Sequence, residues 1–180
     1  ENEVAVDIRK LRDTAGITTY DPGFANTGAC KSAITYIDGE NGILRYRGYP
    51  IEELAGKVRF SAAAYLLVYG RLPNEDEFVE WRKQLTLNSF IHASQVHFFD
   101  NFSLTAHPMN ILGSMVSSMS AFYPYDANDE EHINLHVQRL IGQVKTIAAF
   151  SYRKSVGLPY IYPRTDHSYA ANFLRMMFAT

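Results

Sequence analysis

Cysteine is nearly absent: Cys30 stands alone among 180 residues, so the chain can form no internal disulfide and no multi-cysteine zinc motif. Long hydrophobic runs are missing too. The longest, residues 62–69, falls far short of the roughly 18 apolar residues of a membrane span. Neither charge dominates, since 17 Lys and Arg face 19 Asp and Glu for a net charge of −2. That balance gives no broad electrostatic footprint for nucleic acid. No charged leader followed by an apolar segment opens the chain, so no signal peptide is visible. These absences argue against a disulfide-stapled secreted module, a membrane protein and a basic nucleic-acid-binding domain, and they point to a reducing, cytoplasmic setting. What remains is 47% apolar and 20% charged, enough to bury a sizeable core. The chain opens on Glu1 and is still apolar and periodic from Phe173 to Thr180, so the expectation is a segment of a longer protein.

The spacing predicts a mainly α chain with one β-hairpin. The β-branched and aromatic residues 33–37 and 43–47 flank Asp38-Gly39-Glu40-Asn41-Gly42, a turn cluster with two glycines. Pro50 opens a short turn carrying Ile51 and Leu54. Ser61 is expected to cap a compact apolar helix that ends near Gly70. Asn74 and Glu77 have the spacing of a capping box, and Phe78, Trp81 and Leu85 share a face behind it. Pro108 suits the first position of a helix running to Phe122, whose stripe is Met109, Leu112, Val116 and Met119, with Ile111 and Met115 beside it. Its other positions are small (Gly113, Ser114, Ser117, Ser118, Ser120) and no charge appears from Met109 to Phe122. A helix apolar and small all round is expected in a core or packed across a subunit interface. Asn128 with Glu131 is a second candidate capping pair. It opens a long helix with apolar positions Ile133, Val137, Leu140, Ile141, Val144, Ile147 and Ala148, ending before Gly157. Residues 159–163, bracketed by prolines, read as extended, and a last helix begins near Ser168.

Chemistry is scarce. His132 and His136, four apart on one helix face, could chelate a metal, yet no third ligand is indicated and a solvated helix boundary is the simpler reading. His92 and His97 read as the polar edge of an aromatic-rich helix, and His107 as a cap before Pro108. Asp166-His167-Ser168 are adjacent and cannot fold into a nucleophile–base–orienter triad; an N-cap at Asp166 or Ser168 is the better account. The sequence contains no nucleophile elbow, phosphate-cradling glycine loop or dinucleotide fingerprint. Asp126, Asp129, Glu130 and Glu131 suit the positive end of the helix that they open. Cys30 reads as a structural thiol.

Several stretches, in order, carry a resemblance. They are Thr19-Tyr20-Asp21-Pro22-Gly23-Phe24; Ala29-Cys30-Lys31-Ser32-Ala33-Ile34-Thr35-Tyr36-Ile37-Asp38-Gly39; Gly42-Ile43-Leu44-Arg45-Tyr46-Arg47-Gly48-Tyr49-Pro50-Ile51; Ala106-His107-Pro108-Met109; and the run from Tyr162 through Arg164, Asp166, Tyr169, Asn172 and Met176 to Phe178. Together they resemble bacterial-type citrate synthase across almost the whole chain. The resemblance implies the N-terminal part of that family's helical large domain over residues 1–180, without a small β-rich N-terminal region and without the catalytic C-terminal half. It implies condensation of acetyl-coenzyme A with oxaloacetate and water to citrate and coenzyme A, the tricarboxylic acid cycle reaction, by general acid–base work on a carbon acid. It further implies acetyl-coenzyme A as a substrate, no metal or other cofactor, and catalytic residues that all lie beyond Thr180, so the segment alone is expected to be inactive. A homodimer, or a hexamer of dimers, is implied through the helices Pro108–Phe122 and Asp129 to Tyr152. The alternatives are a segment of 2-methylcitrate synthase using propionyl-coenzyme A, or a non-catalytic helical dimerisation module.

One regulatory site can be followed residue by residue. NADH-inhibited hexameric members use an Arg-His-Thr-Met run, a Tyr after the His-Pro-Met helix, and an Arg and a Lys on the next helix. Here the run reads Leu87-Asn88-Ser89-Phe90, Tyr123 and Arg139 match, and Gln143 replaces the Lys. Two cations are lost from a site for a pyrophosphate-type ligand, so NADH inhibition is expected to be weak or absent. The plainer reading is that Tyr123 and Arg139 pack at a helix junction.

Overall fold

Two β-branched segments separated by a glycine-containing loop pair as the sequence suggests. In the computed structural model, which describes residues 4–24, 26–124, 126 and 128–179, β1 (Thr35–Asp38) runs antiparallel to β2 (Ile43–Tyr46), with Asp38 opposite Ile43. Asp38 fastens the loop by accepting the Asn41 N–H at 3.0 Å. The sheet then gains a third strand that the sequence reading lacks. Arg47 (φ 51°) and Gly48 (φ 89°) form a two-residue reversal, and β3 (Tyr49–Pro50) pairs with β2. Positive φ at both central residues matches the right-handed twist of the strands. The Arg47 guanidinium then donates to the Leu67 carbonyl at 2.7 and 3.1 Å, tying the sheet to the helices.

The helices follow in order: α1 (Leu11–Ala15), α2 (Ile51–Leu54), α3 (Phe60–Tyr69), α4 (Glu75–Leu87), α5 (Ala93–Phe98), α6 (Pro108–Phe122), α7 (Glu130–Ser155) and α8 (Tyr169–Phe178), with single 3-10 turns at Pro22–Phe24 and Phe99–Asn101. At 26 residues, α7 is about 39 Å long, and α4, α6 and α8 all pack on it. Two clusters form the core. Phe99, Ile111, Met115, Met119, Ile147 and Phe150 fill the space between α6 and α7. Tyr65, Trp81 and Leu85 join α3 to α4, with Val137, Ile141 and Tyr169 closing over them. Trp81 satisfies its indole N–H on the Ser61 carbonyl at 2.7 Å.

The caps refine the sequence reading. Asn74 and Glu77 form the expected capping box, Gly70 ends α3 in the left-handed region, and Ser168 caps α8. Ser61 does not cap α3: the N-cap position is Arg59, two residues earlier, and Ser61 is buried inside the helix. The cap of α7 is Asp129 rather than Asn128, because its carboxylate reaches the N–H groups of both Glu131 and His132. His92 precedes α5 as its cap, leaving only His97 within that helix.

Two stripes are rotated from their expected positions. On α6 the buried row is Ile111, Met115 and Met119, while Met109 is 62% exposed, and Gly113, Ser114, Ser117 and Ser120 face outward. On α7 the buried face is Gly142, Gln143, Lys145, Thr146, Ile147, Ala149, Phe150 and Arg153. Ile133 and Leu140 of the expected stripe stand exposed. Gln143, Thr146 and Arg153 occupy the buried face because backbone carbonyls there accept their hydrogen bonds, which removes most of the cost of burying them. Arg153 donates to the carbonyls of Pro159, Met177 and Ala179, so it joins the loop after α7 to the end of α8.

Candidate functional site

The residues singled out for a regulatory site do come together. Tyr123 ends α6, Arg139 and Gln143 lie one turn apart on α7, and Phe90 follows α4. The Arg139 guanidinium sits 4.2 Å from the Tyr123 ring centroid, a cation–π contact. Gln143, 2% exposed, donates through Nε2 to the Tyr123 hydroxyl at 3.0 Å and to the Phe90 carbonyl at 2.9 Å. One turn on, the Thr146 hydroxyl donates to the Ser89 carbonyl at 2.7 Å. Both amide N–H groups of Gln143 are therefore engaged within the protein, and its Oε1 is buried without a hydrogen-bond partner. The helix junction is a packed polar seam. Burial and the neighbouring Arg139 hold the His136 imidazole below its ordinary range.

The remaining histidines have local roles. His92 and His107 accept the Ser94 and Met109 N–H groups at 3.1 and 3.2 Å through Nδ1, as helix caps. His97 faces Asp100 at 3.7 Å, and His132 faces Asp129 at 3.8 Å. His167 lies 3.0 Å from Asp166, whose other partner is Arg164; that guanidinium holds the Asp166 carboxyl well below the usual carboxylate range. Among the described residues no group of three or more His, Cys, Asp or Glu is placed to hold a metal ion, and no helix is long and apolar enough to cross a membrane. The free thiol of Cys30 is exposed.

Sequence reasoning passed over Lys145. It is 5% exposed, and its Nζ lies 4.2 Å from the Tyr169 ring centroid. Burial pushes its amine down to about 8 and the Tyr169 phenol up to about 12. The available signal was its position, one turn after Ile141 on the face that meets α4 and α8.

The described residues thus form a mainly helical array with a small antiparallel sheet ahead of it. Residues 23–180 match the family model described as citrate synthase, C-terminal domain. The chain is 47% identical to citrate synthase 1 of Mycobacterium tuberculosis H37Rv, with 99% of the chain and 42% of that protein aligned. Its fold is similar to the crystal structure of citrate synthase from Pyrobaculum aerophilum, at 32% identity and a TM-score of 0.78, covering 100% of this chain and 47% of that one. A ternary complex of citrate synthase from Thermoplasma acidophilum has a TM-score of 0.82 at 24% identity, covering 89% and 42% of the respective chains, a likeness of fold. The chain belongs to the citrate synthase family, and it spans less than half the length of these relatives.

Proposed function

We propose that this chain is the N-terminal part of the large domain of a citrate synthase whose whole protein condenses acetyl-coenzyme A with oxaloacetate and water. The observation that carries this reading is the family match across residues 23–180. The local roles of His92, His97, His107, His132 and His167 agree with an acid–base machinery placed beyond Thr180. No metal or other cofactor is required, and acetyl-coenzyme A is a substrate. The decisive assay measures free thiol released from acetyl-coenzyme A and from propionyl-coenzyme A, each with oxaloacetate, by the protein's complete chain and by these 180 residues. The complete chain should turn over the acetyl thioester faster, and the 180 residues neither. Preference for the propionyl thioester would make it a 2-methylcitrate synthase; no turnover by the complete chain would leave a non-catalytic helical module.

The same reading assigns α6 and α7 to a homo-oligomer interface. The outward row of Gly113, Ser114 and Ser117 on α6, with Met109 exposed on α6 and Leu140 exposed on α7, supports it, since small residues let a second backbone approach closely. Inhibition by NADH should be weak, because Arg139 lies against Tyr123 and Gln143 has both N–H groups engaged. Strong inhibition of the complete enzyme at sub-millimolar NADH would contradict this.

A further inference from the structure

A cavity of about 410 Å³ opens between the start of α3, the later turns of α4 and the start of α8. Its charged lining is Arg59 and Arg82, with His167 as a third basic side chain, and no carboxylate lines it. Neither guanidinium has a hydrogen bond or a carboxylate partner among the described residues; that of Arg82 lies 5.6 Å from the Phe78 ring centroid. Asp166 pairs with Arg164 at 2.6 and 2.9 Å and with His167 at 3.0 Å, so the cations of the lining that have no acid partner are the two arginines. The apolar lining is a stacked ring pair, Phe60 on Tyr169 with centroids 4.7 Å apart, together with Leu85.

Lys145 stands behind the Tyr169 wall of the cavity rather than in its lining. It is 5% exposed and makes no hydrogen bond or ion pair among the described residues; its contact is with the face of Tyr169, itself a wall of the cavity. A buried ammonium without an acid partner is costly to the fold, and an anion in the neighbouring cavity would offset that cost. In the first turn of α8, Ser168 Oγ accepts the Ala171 N–H.

We propose that this cavity binds a small organic phosphomonoester, with Arg59 and Arg82 holding the phosphate and the Phe60–Tyr169 pair and Leu85 holding the apolar body. Guanidinium forks match phosphate oxygens in geometry and charge. Two guanidiniums without an acid partner favour a dianion over a monoanion, and the volume falls in the range of small-molecule sites. This inference stands apart from the synthase reading and needs no part of the acid–base machinery.

The test is calorimetric titration of the protein's complete chain with phenyl phosphate, and in parallel with inorganic phosphate and with benzoate. Phenyl phosphate should bind at least tenfold more tightly than either comparison anion. Arg59→Gln and Arg82→Gln alter exposed side chains and should leave the fold intact, as far-ultraviolet circular dichroism would verify. Each should weaken phenyl phosphate about tenfold, while Arg12→Gln on α1 should leave it unchanged. Absence of binding at millimolar phenyl phosphate would overturn the proposal, and so would affinity undiminished in both variants. Inorganic phosphate binding equally well would reduce the site to a non-selective basic patch, and benzoate binding equally well would remove the preference for a dianion; either result overturns the proposal as stated.

Discussion

Gly142 shows how much a single residue decides. A Cβ there would stand 2.7 Å from the Asn88 carbonyl oxygen and 2.9 Å from that of Leu85, both backbone atoms that cannot swing aside. Gly142→Ala should therefore separate α7 from α4 and lower stability by about 1–3 kcal/mol, read as a fall in the urea midpoint. An unchanged midpoint would mean that the two backbones do not meet this closely. Lys145 makes a prediction of pH dependence. Its amine titrates near 8 in the fold and about 10.4 when unfolded, so between those values the unfolded chain holds more protons. Stability should therefore rise with pH from 8 to 10. Above pH 10 Tyr169 opposes the trend, because its phenol is raised to about 12 and the folded state then keeps the extra proton. Lys145→Met should raise the melting temperature at pH 7 and flatten the rise between pH 8 and 10. A variant that melts lower at pH 7 would show that the ammonium on the Tyr169 ring is a net stabiliser.

The ends of the elements carry the next set of consequences. The Asn74 side chain accepts the Glu77 N–H, and Glu77 returns to the Asn74 N–H, both at 2.9 Å. Asn74→Ala should cost about 1 kcal/mol, measured by chemical denaturation, with the loss of amide protection concentrated in the first turn of α4. At the other end of the chain, Arg153 holds α8 by its last carbonyls. Arg153→Met would leave those carbonyls without their donor, and charge-assisted hydrogen bonds are worth about 1.5–3 kcal/mol each. Hydrogen exchange should quicken across α8 before it quickens in α6. Uniform quickening would mean that α8 unfolds only with the whole domain. These two elements differ in legibility. The α4 cap was readable because its motif is local, whereas the role of Arg153 depends on a partner 24 residues away.

The molecule as a whole exposes 12,524 Å², against about 8,800 Å² for a compact monomer of this size. Large apolar side chains contribute to the excess, among them Ile37 on the sheet, Met109 on α6, Leu140 on α7 and Leu174 and Phe178 on α8. Taken alone, the 180-residue chain should bind a hydrophobic dye such as anilinonaphthalene sulfonate and associate at micromolar concentration. A monodisperse monomer that leaves the dye dark would show that these surfaces need no cover.

Local chemistry determined what the sequence alone could establish: the turn at 38–42, the capping box, the proline-started helix to Phe122 and the helix after Ser168. Each depends on residues within a few positions of one another, where φ preferences, caps and periodicity act without knowledge of the rest of the chain. The tertiary structure decided which face of each helix is buried, because that depends on which carbonyls and rings approach from elsewhere. Hence the α7 stripe turned toward Gln143, Thr146 and Arg153, whose hydrogen bonds reach Ser89, Phe90 and Ala179. Tertiary packing likewise placed Lys145 against Tyr169 and brought Arg59 and Arg82 to one cavity. Charge and hydropathy along the chain carry no record of such meetings, since the groups that satisfy or strand a buried cation are distant in sequence.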